Sequence, residues 1–203
     1  MTWTWIRPPG ALSACRKKPL TNVRGSVDMD SIWTDTLEEF RDHLAGTESV
    51  PAGVSTAAVS AAFAIGLLTK VVKIASRRKD FSGDRSLVTA LLNQAQEASQ
   101  TLSLLADRDI VAYRERSRDM ITVPIDVARA AAEGLALCDQ AKPLVHALLA
   151  PDLSTAEELL TAAVRSTLLT VSFNLQQLPE DDPFRIRVTA ELTLLSPPFR
   201  ADR

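Results

Sequence analysis

Cysteine, histidine, glycine and aromatic residues are all scarce in this 203-residue chain, and each scarcity closes off a class of protein. Two cysteines, Cys15 and Cys138, cannot staple a disulfide framework, so a reduced, cytoplasmic protein is expected. Only His43 and His146 stand beside them, at no metal-ligand spacing, which argues against a zinc or haem site. Aromatics at 5% and 7 glycines are too few for the faces and turns of a sandwich or barrel. An excess of one charge is missing too. The 23 basic residues face 25 acidic ones, a net −2, without the basic field that nucleic acid demands.

One long uncharged run does occur, the 21 residues 49–69, which is membrane-span length. It holds Pro51, Gly53, several Ser and Thr and many Ala, and Lys70 and Lys73 follow on the same helix. It therefore reads as a buried central helix, and no membrane association is expected.

What the chain does contain favours helices: hydrophobic residues make up 46% and charged residues 24%, with Ala, Leu, Ser, Thr and Val dominant. The length suits one domain with a sizeable core. Residues 1–28 differ from the rest, with Trp3, Trp5, Pro8-Pro9-Gly10 and Arg16-Lys17-Lys18-Pro19, and lack the apolar core of a secretory signal. They are expected to be a poorly ordered extension of a helical domain over 29–203. Apolar periodicity predicts helices over 32–45, 55–79, 85–118, 122–149, about 152–178 and 183–195. Thr122 is a candidate N-cap with Pro124 in the first turn. Pro143 should kink or divide its helix, and Ser154 with Glu157, or Thr155 with Glu158, could form a capping box. Helix after helix with short joints gives an all-α, antiparallel bundle of five to six helices.

Three polar residues fall where apolar ones belong. Leu91, Ala95, Ala98, Leu102 and Leu105 form one stripe, and the next step of four lands on Asp109, a costly place for an acid unless it is paired or used. Ala156, Leu160, Ala163, Thr167 and Val171 form another, which contains Asn174 and, one step back, Asp152. Each has a structural alternative: a partnered core Asp, a helix-start acid that complements the dipole, an amide that fixes helix register. The run Lys70, Lys73, Arg77, Arg78, Lys79 is either a solvated helix C-terminus or a set of contacts for an anionic substrate tail.

These residues resemble the cyclodeaminase/cyclohydrolase family, which comprises the cyclodeaminase domain of formiminotransferase-cyclodeaminase and bacterial methenyltetrahydrofolate cyclohydrolases. Val50-Pro51-Ala52-Gly53-Val54-Ser55 stands where the family has a proline, three glycines and a serine opening an Ala-rich helix. Arg77-Arg78-Lys79-Asp80-Phe81 is similar to the basic-aromatic end of that helix, and Asp107-Arg108-Asp109 to an Asp-x-Asp segment. Val123-Pro124-Ile125, Asp152 and Val171-Ser172-Phe173-Asn174-Leu175 match later elements. The resemblance implies a C–N lyase or cyclic amidine hydrolase without metal or cofactor, a tetrahydrofolate derivative being a possible substrate, in a homodimer. It further implies Asp109 as proton shuttle, Asp152 as second acid, and Gly53, Ser55, Asn174, Arg77 and Lys79 as substrate contacts, gathered in one pocket within a chain or across a dimer interface. The sequence departs from the pattern in Ala52 and Val54, which replace glycines and should narrow the ligand turn, in His146 and Thr170 where the family has Asn, and in a nearly absent loop before Val123. Three readings follow: a folate enzyme, a diverged paralogue acting on a C–N bond of another small molecule, or a non-catalytic helical scaffold.

Overall fold

The computed structural model of the chain describes residues 31–195; the extension expected over 1–28 lies outside them. Six α-helices follow one another and no strand occurs among the described residues: α1 Leu37–Ala45, α2 Gly53–Ser76, α3 Arg85–Glu115, α4 Asp119–Ala141, α5 Ala150–Leu175 and α6 Pro183–Leu195. Helices α2 to α5 form an antiparallel four-helix bundle in which α2 packs beside α3 and α5, and α4 closes the ring opposite α2. The predicted all-α bundle is what forms.

The core is built from the predicted stripes. Ala58, Ala61, Ala62, Ile65, Leu68 and Val72 of α2 meet Leu102, Leu105, Val127, Ala131, Leu160 and Val164. The fully buried Ile and Leu side chains contribute about 1.5–3 kcal/mol each. Gly134 sets the closest approach, since a Cβ there would stand 2.8 Å from Ile65 Cδ1 and 3.0 Å from Leu160 Cδ2. Helix α2 has the length and composition to cross a membrane; in the fold its apolar flanks lie against the other three helices of the bundle. A smaller cluster of Ile121, Ile125, Val171, Leu175, Leu178 and Val188 seats α6.

Several boundaries differ from expectation. The first predicted helix divides into a 3-10 turn, Ile32–Thr34, and α1, whose start is fixed by a capping box between Thr36 and Glu39. Helix α4 starts at Asp119, so Thr122 is an interior residue whose hydroxyl donates to Asp119 instead of capping. Pro143 does end α4, within a short 3-10 turn. Helix α5 begins at Ala150 without a side-chain cap. Neither candidate capping box forms: Thr155 donates to the Pro151 carbonyl, and Glu157 turns to Lys142 at 2.7 Å.

Candidate active site

Helix α2 opens with Ala52 as N-cap, an alanine that offers no side-chain acceptor to the first amides of the helix. The missing acceptor comes from a neighbouring helix. Asp109 of α3 takes the Ser55 amide at 3.0 Å and the Ser55 hydroxyl at 2.6 Å, both on Oδ2. A carboxylate at a helix N-terminus is favoured by the exposed amides and the dipole. Burial is the larger influence here, and pushes the Asp109 carboxyl above the ordinary range, while the two Ser55 hydrogen bonds pull it back. A half-buried acid with a raised pKa beside a turn open at Gly53 is equipped to hold and pass a proton.

The two aspartates of Asp107-Arg108-Asp109 do different things. Asp107 accepts the Ser31 hydroxyl at 2.6 Å and the Ile32 amide at 3.1 Å, and so straps the chain before α1 onto α3. The sequence shows Asp107 only as the first acid of that segment and gives it no role of its own. Its partners lie 76 and 75 residues away along the chain, so nothing local in the sequence signals the contact.

Val54 corrects an expectation. Its side chain is buried in the main core, not turned toward the ligand side of the turn, because the second residue of α2 already lies on the helix face that meets the bundle. Of the two replaced glycines, only that at Ala52 leaves a methyl on the exposed turn.

Asn174 lies at the same end of the bundle, with its amide already engaged. Pro124 has no N–H and so leaves the carbonyl four residues back, that of Met120, without its helical partner. Asn174 Nδ2 donates to that oxygen at 2.8 Å. The register-fixing alternative describes this contact.

The remaining candidates lie at the opposite end. Asp152 is 3.8 Å from Lys70, and Arg77 and Lys79 follow the last turn of α2. From Ser55 to Lys70 the helix axis advances about 22 Å, so one chain brings Gly53, Ser55, Asp109 and Asn174 to one end and Asp152, Arg77 and Lys79 to the other. His146 is also at this second end, its Nδ1 accepting the Leu148 amide. Burial, with Glu157 and Asp139 nearby, pushes the Cys138 thiol up to about 12, which removes it as a nucleophile. Among the described residues no three His, Cys, Asp or Glu side chains are grouped to hold a metal.

Comparisons with known proteins agree with this fold. A sequence profile described as formiminotransferase-cyclodeaminase matches residues 36–120 and 112–193. The crystal structure of a formiminotetrahydrofolate cyclodeaminase from Thermotoga maritima superposes with a TM-score of 0.75 at 22% identity, covering 81% of this chain and 89% of that one. No curated protein sequence matches.

Proposed function

We propose, from the premise that this chain belongs to the formiminotransferase-cyclodeaminase family, that it is a cyclodeaminase- or cyclohydrolase-type enzyme acting on a C–N centre of a folate-like small molecule. The observation that carries the reading is the Asp109–Ser55 pair at the start of α2, an acid kept half-buried, raised in pKa and hydrogen-bonded at an open turn. The reaction needs stabilisation of a cationic amidine or methenyl carbon and a proton delivered to a departing nitrogen. The ionised Asp109 opposes that positive charge. In a cyclisation, the substrate's internal nitrogen bonds to the carbon, Asp109 takes the proton it sheds, and the same proton passes to the amino group whose C–N bond breaks, so that ammonia leaves. In a hydrolysis, water replaces the internal nitrogen as nucleophile and a ring nitrogen receives the proton. Ser55 holds the carboxylate in place and limits how far burial raises its pKa. We take the working unit to be a cytoplasmic homodimer.

A second reading, the same proton chemistry on a non-folate small molecule, is favoured by the Ala52 methyl and by the short connection from Arg116 to Arg118 between α3 and α4. Purified protein assayed on 5-formimino- and 5,10-methenyltetrahydrofolate separates the two. Turnover of either, abolished by Asp109→Asn, supports the folate enzyme; turnover of neither moves the assignment to another substrate.

A further inference from the structure

Aromatic side chains are few in this chain, and three of them wall one hollow. Trp33, Phe40 and Phe63 surround a cavity of about 210 Å³, which Ile32, Asp35 and Val59 help to line between the start of α1 and the flank of α2. Trp33 and Phe63 meet edge to face, with centroids 6.2 Å apart and ring planes at 85°. They remain 36% and 49% exposed, so their contact forms a right-angled corner and leaves it open to solvent. Such a corner takes a flat ring against the face of one wall and the edge of the other.

The corner is mounted on α3. Trp33 Nε1 donates to the Ser103 carbonyl at 3.0 Å, and Asp107 holds the Ser31 hydroxyl and the Ile32 amide just before it. Asp107 stands two residues from Asp109, and Val59 stands one helical turn, about 6 Å, from Ser55. The first acid of the Asp-x-Asp segment thereby positions the walls, and the second is the half-buried acid beside them.

Size and charge decide what enters. A cavity of about 150 Å³ accepts a benzene, while pockets that enclose a drug-sized ligand measure about 300–1,000 Å³. The corner therefore has room for one ring system and none for a tail. Asp35 is the only ionisable side chain in its lining. Its Oδ2 is held by His43 Nδ1 at 3.1 Å, and its Oδ1 accepts no hydrogen bond among the described residues. A carboxylate oxygen at an aromatic corner accepts from an amino or N–H edge. It repels an anion, and residues 35–48 add four more carboxylates against one arginine.

We propose that this corner is the ring subsite of the Asp109 site, selective for a planar N-heterocycle with an amino or N–H edge. Trp33 and Phe63 stack the ring, and Asp35 orients it. The anionic tail of a folate lies outside, so a tail-free heterocycle is recognised as well as a tailed one. The link to Asp109 rests on the proposed function, whereas ring binding does not.

Binding is measured without turnover. Once Trp3→Phe and Trp5→Phe are introduced, Trp33 is the one tryptophan left and reports on the corner. The tail-free 5-formyl-6-methyltetrahydropterin is expected to quench its emission saturably. Equilibrium dialysis should give a Kd within about threefold of that for 5-formyltetrahydrofolate. The tail alone, p-aminobenzoylglutamate, should not compete. Phe63 is half exposed, so Phe63→Ala and Phe63→Leu should keep the helical circular dichroism and each weaken pterin binding about tenfold. Asp35→Asn should weaken it about fivefold. No saturable quenching at millimolar pterin, binding that depends on the tail, or a Kd that ignores both Phe63 variants and Asp35→Asn would each overturn the subsite. A chain that binds the pterin and turns over neither folate loses the proposed function and keeps the subsite. A chain that turns over a folate with a KM untouched by Phe63→Ala keeps the function and loses the subsite.

Discussion

Ser55 gives both its amide and its hydroxyl to a single oxygen of Asp109, so a helix start and a candidate catalytic acid hold one another in place. Neither bond can be lost without changing the proton affinity of the carboxyl. The hydroxyl bond favours the ionised form and burial opposes it.

The first prediction concerns that balance. If the ionised Asp109 is the working form, turnover falls as pH drops through its raised pKa. Ser55→Ala removes one bond that favours ionisation, so the acid limb of the kcat–pH profile should move to higher pH, with turnover at alkaline pH little changed. An unmoved limb would mean that another group sets it.

Asp109→Asn should separate activity from stability. Loss of the proton shuttle is expected to cost turnover about 100-fold or more. Stability should move the other way. A carboxyl whose pKa is raised on folding contributes most at pH below its unfolded value, and that contribution is lost as pH rises through the folded value. At neutral pH the native state therefore bears the cost of a buried charge, which Asn does not carry. The Tm of Asp109→Asn at pH 7 should equal or exceed that of the wild type, with the difference vanishing in acid.

Asn174 and Pro124 form a thermodynamic cycle. Asn174→Leu leaves the Met120 carbonyl without a donor and should cost about 1–3 kcal/mol. In a Pro124→Ala background the helix supplies its own N–H to that carbonyl, so the same substitution should cost clearly less. Chemical denaturation of the four proteins measures the coupling. Equal costs in both backgrounds would show that the Asn174 amide is not there for the orphaned carbonyl.

Gly134 should tolerate no branched side chain. Its Cβ position already crowds Ile65 and Leu160, and Gly134→Val should destabilise by about 1–3 kcal/mol through overpacking. A wild-type midpoint in urea would contradict the close approach of α4 to α2.

Periodicity made the bundle legible because Ala, Leu and Val recur on unbroken stripes, and the same stripes exposed Asp109 as an anomaly. Its partner was not readable. Ser55 lies 54 residues away, and only packing of α2 on α3 brings the two together. The Pro124 boundary failed for a related reason: a proline suggests a first turn, yet α4 extends past it upstream because a side chain from α5 relieves the carbonyl it strands. Val54 was misassigned because a loop motif was aligned where the chain had already become helix, and helical rotation turned that residue inward. The division of the candidate residues between two ends follows from helix length, which a stripe alone does not display.

The ring order of the bundle has a consequence for synthesis. Helix α2 lies between α3, which follows it at once, and α5, which ends at Leu175, about a hundred residues after α2 is complete. At about 5–20 residues per second the flank of α2 that meets α5 waits roughly 5–20 s for its cover. During that wait the most apolar of the described helices is only half-covered outside the ribosome. Its first half then carries no charge to keep it in water, so the cations at its C-terminal end are the local guard against aggregation or capture by a membrane.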